Sequence, residues 1–165
     1  MSIIAKVGDL FSIPLNSTSF GLGVVAGKWN DELYLVLFKE SFNDMGMAGK
    51  VPLNELTPIL ASSSLDAKLW HGHWPIITRG LDISMIKQPI YKVNEPSGIV
   101  AESFDRKFRS LVNLDDSHHL NFRKTVAPIR LENALLAYHG LGQSNSAFDE
   151  LSYANVLEST TILTS

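Results

Sequence analysis

Cysteine is absent from the 165 residues of this chain. Disulfide bonds, thiolate nucleophiles and cysteine-ligated zinc sites are therefore excluded. The lack of cysteine fits a reducing compartment, and we expect a cytoplasmic protein.

Long hydrophobic runs are also absent. No apolar stretch approaches the roughly 20 residues that a membrane-spanning helix needs, so we expect no membrane partner. The first residues, Met1 to Lys6, have no basic region before a long apolar core, and we expect no signal peptide. A hydrophobic fraction of 45% and a charged fraction of 19% are ordinary for globular proteins, and we expect residues 1–165 to form a single domain.

Excess basic charge is lacking as well. The net charge is −3, and residues 1–125 balance 13 basic against 13 acidic residues. After Thr125 there are four acidic residues and only one basic residue, Arg130. Nucleic-acid binding is therefore not expected, because it draws on basic surface. The acidity fits a basic protein partner, or it serves solubility alone.

Alternating apolar residues near the N-terminus predict a three-stranded antiparallel meander. Its strands are predicted within Val7–Leu15, Phe20–Gly27 and Leu33–Phe38. Gly21, Gly23 and Gly27 are predicted to share one face of the second strand, which indicates a sheet that bends toward a barrel. The third strand is apolar on both faces and is predicted to be central and covered on both sides.

The same stretch carries a family resemblance. Gly8–Leu15 (GDLFSIPL) and Phe20–Val25 (FGLGVV) resemble the opening of the immunity protein 26 family, and Gly72–Ile77 (GHWPII) with Pro89–Tyr91 (PIY) is similar to its middle. The resemblance implies an immunity protein that binds a cognate bacterial toxin, in many systems a nuclease, and blocks its active site or substrate path. It implies a 1:1 complex in the cytoplasm of the cell that makes both proteins, with no catalysis and no cofactor.

The middle of the chain is predicted to be mostly extended. Leu69–Arg79 is predicted as a strand region, with Trp70 and Trp74 as core anchors. Lys39–Lys50 is predicted as a loop because it contains several turn residues. Further extended segments are predicted at Pro58–Ala61, Pro89–Val93, Ile99–Phe104 and Ser110–Leu114.

The C-terminal quarter changes to a helical period. Pro128–His139 is predicted as a helix that ends at Gly140. A second helix is predicted from Ser146 to about Leu157, and Thr160–Thr164 fits either a helix or a strand. We therefore predict an α+β fold with a twisted, mostly antiparallel sheet or partial barrel and one or two C-terminal helices.

Candidate catalytic residues are few. His71 and His73 would share a face of a strand and could hold a metal with Asp82, or with the pair at His118 and His119. Two histidines that flank a glycine are more often polar residues at a bulge. Asp115 and Asp116 lie close to the second histidine pair and could tune it for acid–base work, but adjacent carboxylates in a loop are more often solvated. We predict no enzyme activity, no metal and no cofactor.

Acidic side chains are the candidates for toxin binding, because a nuclease must present cationic surface to its substrate. Asp115 and Asp116 are predicted in a loop, Asp149 and Glu150 at the start of the last helix, and Asp44 in the loop after the meander. The alternative is a small β-barrel module that binds nucleic acid or a peptide without catalysis. Its basic face would comprise Arg106, Lys107, Arg109, Arg123 and Lys124.

Overall fold

The predicted meander lies in the larger of two β-sheets. The computed structural model describes residues 2–164, with Thr164 described by its backbone alone. β1 (Leu10–Pro14), β2 (Phe20–Trp29) and β3 (Glu32–Phe42) are successive antiparallel neighbours, which confirms the predicted meander.

The described residues contain seven further strands and five α-helices. The strands are β4 (Pro58–Ser64), β5 (Ile76–Thr78), β6 (Ile90–Glu95), β7 (Gly98–Ser103), β8 (Arg109–Leu111), β9 (Asn121–Phe122) and β10 (Thr125–Val126). The helices are α1 (Met45–Ala48), α2 (Ala67–Trp70), α3 (Leu114–Ser117), α4 (Pro128–Tyr138) and α5 (Tyr153–Thr160). Short 3₁₀ helices cover Leu53–Glu55, Ser146–Leu151 and Thr161–Thr164.

The two sheets are mostly antiparallel. The larger has the strand order β10–β4–β3–β2–β1–β5, and the smaller has the order β8–β7–β6–β9. Parallel pairing joins β10 to β4 and β6 to β9. Within residues 2–164 neither sheet closes into a barrel, and the predicted α+β class with a twisted sheet is confirmed.

β3 is covered on both faces, as its two-sided apolar sequence predicts. Leu35 and its neighbours on one face are fully buried in a core that includes α4. Val36 and its neighbours on the other face are fully buried in a core that includes α5. Both helices contact β4, so they flank this strand from opposite faces of the sheet.

The predicted face of the β2 glycines is correct at Gly23 and wrong at Gly27. Gly23 faces Phe11, in the core shared with α4. A bulge beside Gly27 turns that glycine toward Phe104, in the opposite core. A bulge adds one residue to a strand and so reverses the side-chain alternation beyond it.

The predicted strand region at Leu69–Arg79 is wrong in its first half. The Asp66 carbonyl accepts hydrogen bonds from the N–H groups of Leu69 and Trp70, so the backbone closes locally as α2. Gly72 then turns the chain with a φ of 74°, and only β5 is extended. Trp74 is fully buried, as predicted for an anchor, whereas Trp70 is 39% exposed.

The predicted loop at Lys39–Lys50 is also wrong. β3 continues to Phe42, and α1 follows it. Asp44 caps α1, with its Oδ1 accepting a hydrogen bond from the Met47 N–H at 2.9 Å. Asp44 therefore stabilises a helix end and does not lie in a flexible loop.

α4 confirms the first C-terminal helix, and Gly140 ends it with a φ of 72°. The second predicted helix is interrupted at Ser152, which has extended backbone and pairs with Leu60 of β4. It therefore consists of a 3₁₀ helix followed by α5. The segment that sequence alone left open, Thr160–Thr164, is mainly a 3₁₀ helix.

Candidate protein-binding surface

The candidate basic face is largely neutralised by carboxylates of the same chain. Arg106 pairs with Glu32, Arg109 with Glu95 and Glu102, Arg123 with Glu102 and Glu32, and Lys124 with Glu150. Among residues 2–164, Lys107 is the one member of the set without an ion pair. The geometry therefore does not favour the nucleic-acid alternative, which needs cations that are free to meet phosphate.

Arg123 shows what these cations do instead. Its side chain is only 14% exposed and lies over the Tyr91 ring, 4.8 Å from the centroid. Its Nε donates to Glu102 at 2.8 Å, and its Nη2 donates to the Ser103 carbonyl at 2.7 Å. These contacts hold the segment between β9 and β10 against the smaller sheet.

Asp115 and Asp116 lie in the first turn of α3, not in a loop as predicted. The Asn113 side chain caps this helix by accepting the Asp116 N–H at 2.7 Å. Carboxylates are favourable there because they face the positive end of the helix. Neither carboxylate forms an ion pair within the described part of the chain.

Asp149 and Glu150 differ although they are adjacent. Both lie in the 3₁₀ helix before α5, not at the start of α5 itself. Burial alone would raise the pKa of Glu150, but hydrogen bonds from Lys124 and Arg130 outweigh it and hold that pKa below its usual range. Asp149 is exposed and forms no ion pair with any residue from 2 to 164.

Asp149 lines the rim of an apolar groove that sequence reasoning did not predict. The groove encloses about 720 Å³ and runs over the start of β4 between the end of α4 and the first turns of α5. Tyr138 on α4 is 51% exposed, and Leu157 on α5 is 46% exposed. Among the described residues that line the groove, Asp149 alone carries a formal charge.

The loop that walls the groove is held in place by hydrogen bonds. Arg130 donates from Nη2 to the Ala147 carbonyl at 3.0 Å, and Asn155 donates from Nδ2 to the Asp149 carbonyl at 2.8 Å. The Asn145 Oδ1 accepts the Ala147 N–H at 2.9 Å. The wall is thus formed before any partner binds.

A sequence signal for this groove does exist. Residues 133–148 contain no Asp, Glu, Lys or Arg, although 19% of the whole chain is charged. Much of this segment is exposed, from the last turn of α4 through the loop to the 3₁₀ helix. An exposed stretch without charges is typical of the centre of a protein interface.

The histidine candidates do not line the groove. The His71 and His73 rings are exposed, with centroids 6.0 Å apart. Across residues 2–164 no three His, Asp or Glu side chains are arranged to hold a metal ion. The helices in the same range are all too short or too polar to span a bilayer.

Comparison with models of known protein families, with curated proteins and with solved structures finds no match to this chain. The structural class of the protein is therefore described from its own fold and surface. It is an α+β protein with two mostly antiparallel sheets, surface carboxylates that form no ion pair within residues 2–164, and an apolar groove beside its last two α-helices.

Proposed function

We propose that this chain is an immunity protein that binds and neutralises a cognate bacterial toxin in the cytoplasm. It acts by covering the active site or substrate path of the toxin in a 1:1 complex, without catalysis and without a cofactor. The resemblance of Gly8–Leu15 and Phe20–Val25 to the immunity protein 26 family motivates this proposal.

One observation about charge supports the proposal most. Most cations of the chain's one basic cluster are engaged by internal carboxylates, whereas Asp115, Asp116 and Asp149 form no ion pairs within residues 2–164. The charges left for a partner in these regions are therefore mostly negative. Free carboxylates favour a basic partner, since complementary charge speeds association and excludes wrong partners.

A nuclease toxin is a partner of this kind. Its substrate is polyanionic, so the surface around its active site must be cationic. A protein that presents free carboxylates to that surface competes directly with the phosphate backbone. In this scheme Asp115, Asp116 and Asp149 supply long-range attraction, and an apolar centre supplies affinity.

Growth protection tests the proposal. Cells would produce the toxin domain that we expect a neighbouring gene to encode, with or without the chain itself. We expect growth to be restored with the chain present and to stay arrested when an unrelated immunity protein replaces it. Growth arrest in the presence of the folded chain would contradict the proposal.

A further inference from the structure

The groove between α4 and α5 has the composition of an interface centre. Tyr138 and Leu157 stand on opposite walls, and each is about half exposed in the free chain. Phe148 and Ile59 also line the groove and are partly buried. Tyrosine is among the residues that most often dominate binding energy, and interface centres are poor in charge and rich in aromatic side chains.

The groove is also preorganised for binding. Its volume of about 720 Å³ falls within the range of clefts that hold ligands. Arg130 and Asn155 fix the backbone of the wall at Ala147 and Asp149. A wall that is already ordered costs little conformational entropy when a partner enters, so more of the contact energy appears as affinity.

Charge identifies the kind of segment that fits. Asp149 is the one formal charge among the described residues that line the groove, and its carboxylate has no ion pair within residues 2–164. This carboxylate would repel an acidic segment. A segment with an apolar centre and a lysine or arginine at one end would fill the groove and pair with Asp149.

We propose that the cognate toxin inserts such an apolar segment, with one basic residue beside Asp149, into the groove between α4 and α5. This inference rests on the proposed function. The groove is too small to form a whole interface, which usually covers about 800 Å² on each partner. It is the central anchor, and Asp115 and Asp116 act at a distance from it through their charge.

Calorimetric titration with the toxin domain encoded beside this chain's gene tests the inference. Tyr138→Ala combined with Leu157→Ala is expected to weaken binding about 100-fold, because each removes a central contact worth about tenfold or more. Asp149→Lys is expected to weaken binding about tenfold, with a change in salt dependence. The control variants Leu111→Ala and Asp31→Lys, at exposed positions outside the groove lining, are expected to bind within about twofold of the unaltered chain.

The outcomes separate the inference from the function on which it rests. If the unaltered chain binds the toxin and the folded groove variants bind equally well, the inference is wrong and the proposed function stands. If the unaltered chain does not bind the toxin, both are wrong. If the unaltered chain sediments as a dimer that Tyr138→Ala and Leu157→Ala together dissociate, the groove holds a second copy and the inference is wrong.

Discussion

At the scale of single residues, Gly8 and Asp9 fix the start of the chain to the segment that follows β5. Asp9 is fully buried, and its Oδ2 accepts the Lys6 N–H at 2.7 Å and pairs with Arg79 at 3.3 Å. The Gly8 carbonyl accepts the Leu81 N–H at 3.0 Å, and a Cβ at Gly8 would lie 2.8 Å from the Leu81 oxygen. Gly8 and Asp9 thus have structural roles.

Gly23→Ala is expected to destabilise the fold by about 2 kcal/mol, as overpacking of a core does. A Cβ at this position would lie 2.5 Å from the Phe11 ring. That ring cannot move aside easily, because it stacks on buried Trp74 with centroids 5.3 Å apart. Urea denaturation would measure the loss. Gly46→Ala in exposed α1 is the control, and an equal loss in both variants would contradict the packing explanation.

Residue roles could be predicted from sequence only where they depend on local pattern. Alternation correctly places Phe11 and Leu10 in different cores. Pairing could not be predicted, since Arg123 meets Glu102 across 21 positions of the chain. For the same reason, sequence could not show that Lys124 and Arg130 neutralise Glu150, while its neighbour Asp149 forms no ion pair with any residue from 2 to 164.

At the scale of elements, one buried carboxylate docks α4 on the larger sheet. The Trp74 Nε1 donates to the Glu132 Oε1 at 3.0 Å, deep in the core. The other carboxylate oxygen lies 3.5 Å from the Lys68 ammonium on α2. Glu132 thus joins α4, α2 and the anchoring tryptophan, and its hydrogen bond and ion pair offset the cost of its burial.

Glu132→Ala is expected to lower the free energy of unfolding by about 2 kcal/mol, because the buried Trp74 N–H would lose its acceptor. Glu132→Gln keeps an acceptor oxygen and is expected to cost clearly less. Urea denaturation of both variants, followed by tryptophan fluorescence, checks the difference. Equal losses would mean that the hydrogen bond does not hold α4 in place.

Elements with a strong hydrophobic periodicity were predictable, whereas short elements set by backbone hydrogen bonds were not. α4 follows from its apolar spacing, its first-turn proline and Gly140. α2 could not be foreseen, because the tryptophans and isoleucines of Leu69–Arg79 favour a strand while hydrogen bonds to Asp66 close a helical turn. The break at Ser152 depends on its pairing with Leu60, which no local pattern shows.

At the scale of the whole molecule, two buried phenols link stability to alkaline pH. Burial raises the pKa of Tyr34 well above its ordinary value, and the nearby Tyr153 and Tyr91 raise it further. Burial also raises the pKa of Tyr91, although a hydrogen bond with Ser63 partly offsets it. Since unfolded tyrosine ionises near pH 10, the unfolded state releases these protons first as pH rises.

Ionisation of these two phenols is therefore expected to change the free energy of unfolding little from about pH 8 to 9.5. Above about pH 10, it is expected to lower that free energy. Tyr34→Phe is expected to reduce that fall, because the phenol that must stay neutral is gone. Urea denaturation between pH 8 and 11 provides the measurement. Tyr138→Phe, at an exposed position, serves as the control, and an unchanged slope in Tyr34→Phe would refute the linkage.

Charge gives the whole molecule a second testable property. Within residues 2–164, Asp115, Asp116 and Asp149 form no ion pairs, whereas Arg123, Lys124 and Arg130 are paired with internal carboxylates. Long-range attraction of this kind weakens with salt, since the Debye length is about 10 Å at 0.1 M. Association with a cationic toxin should therefore slow as the salt concentration rises.

Binding of a cognate toxin is the property on which the proposed function depends. The most direct measurement is calorimetric titration of the purified chain into the proposed cognate toxin domain, with toxin activity assayed in the same samples and association rates followed by stopped-flow mixing. We expect saturation at one chain per toxin, loss of toxin activity at the same ratio, and slower association at higher salt. Full toxin activity in the presence of excess folded chain would contradict the proposed function.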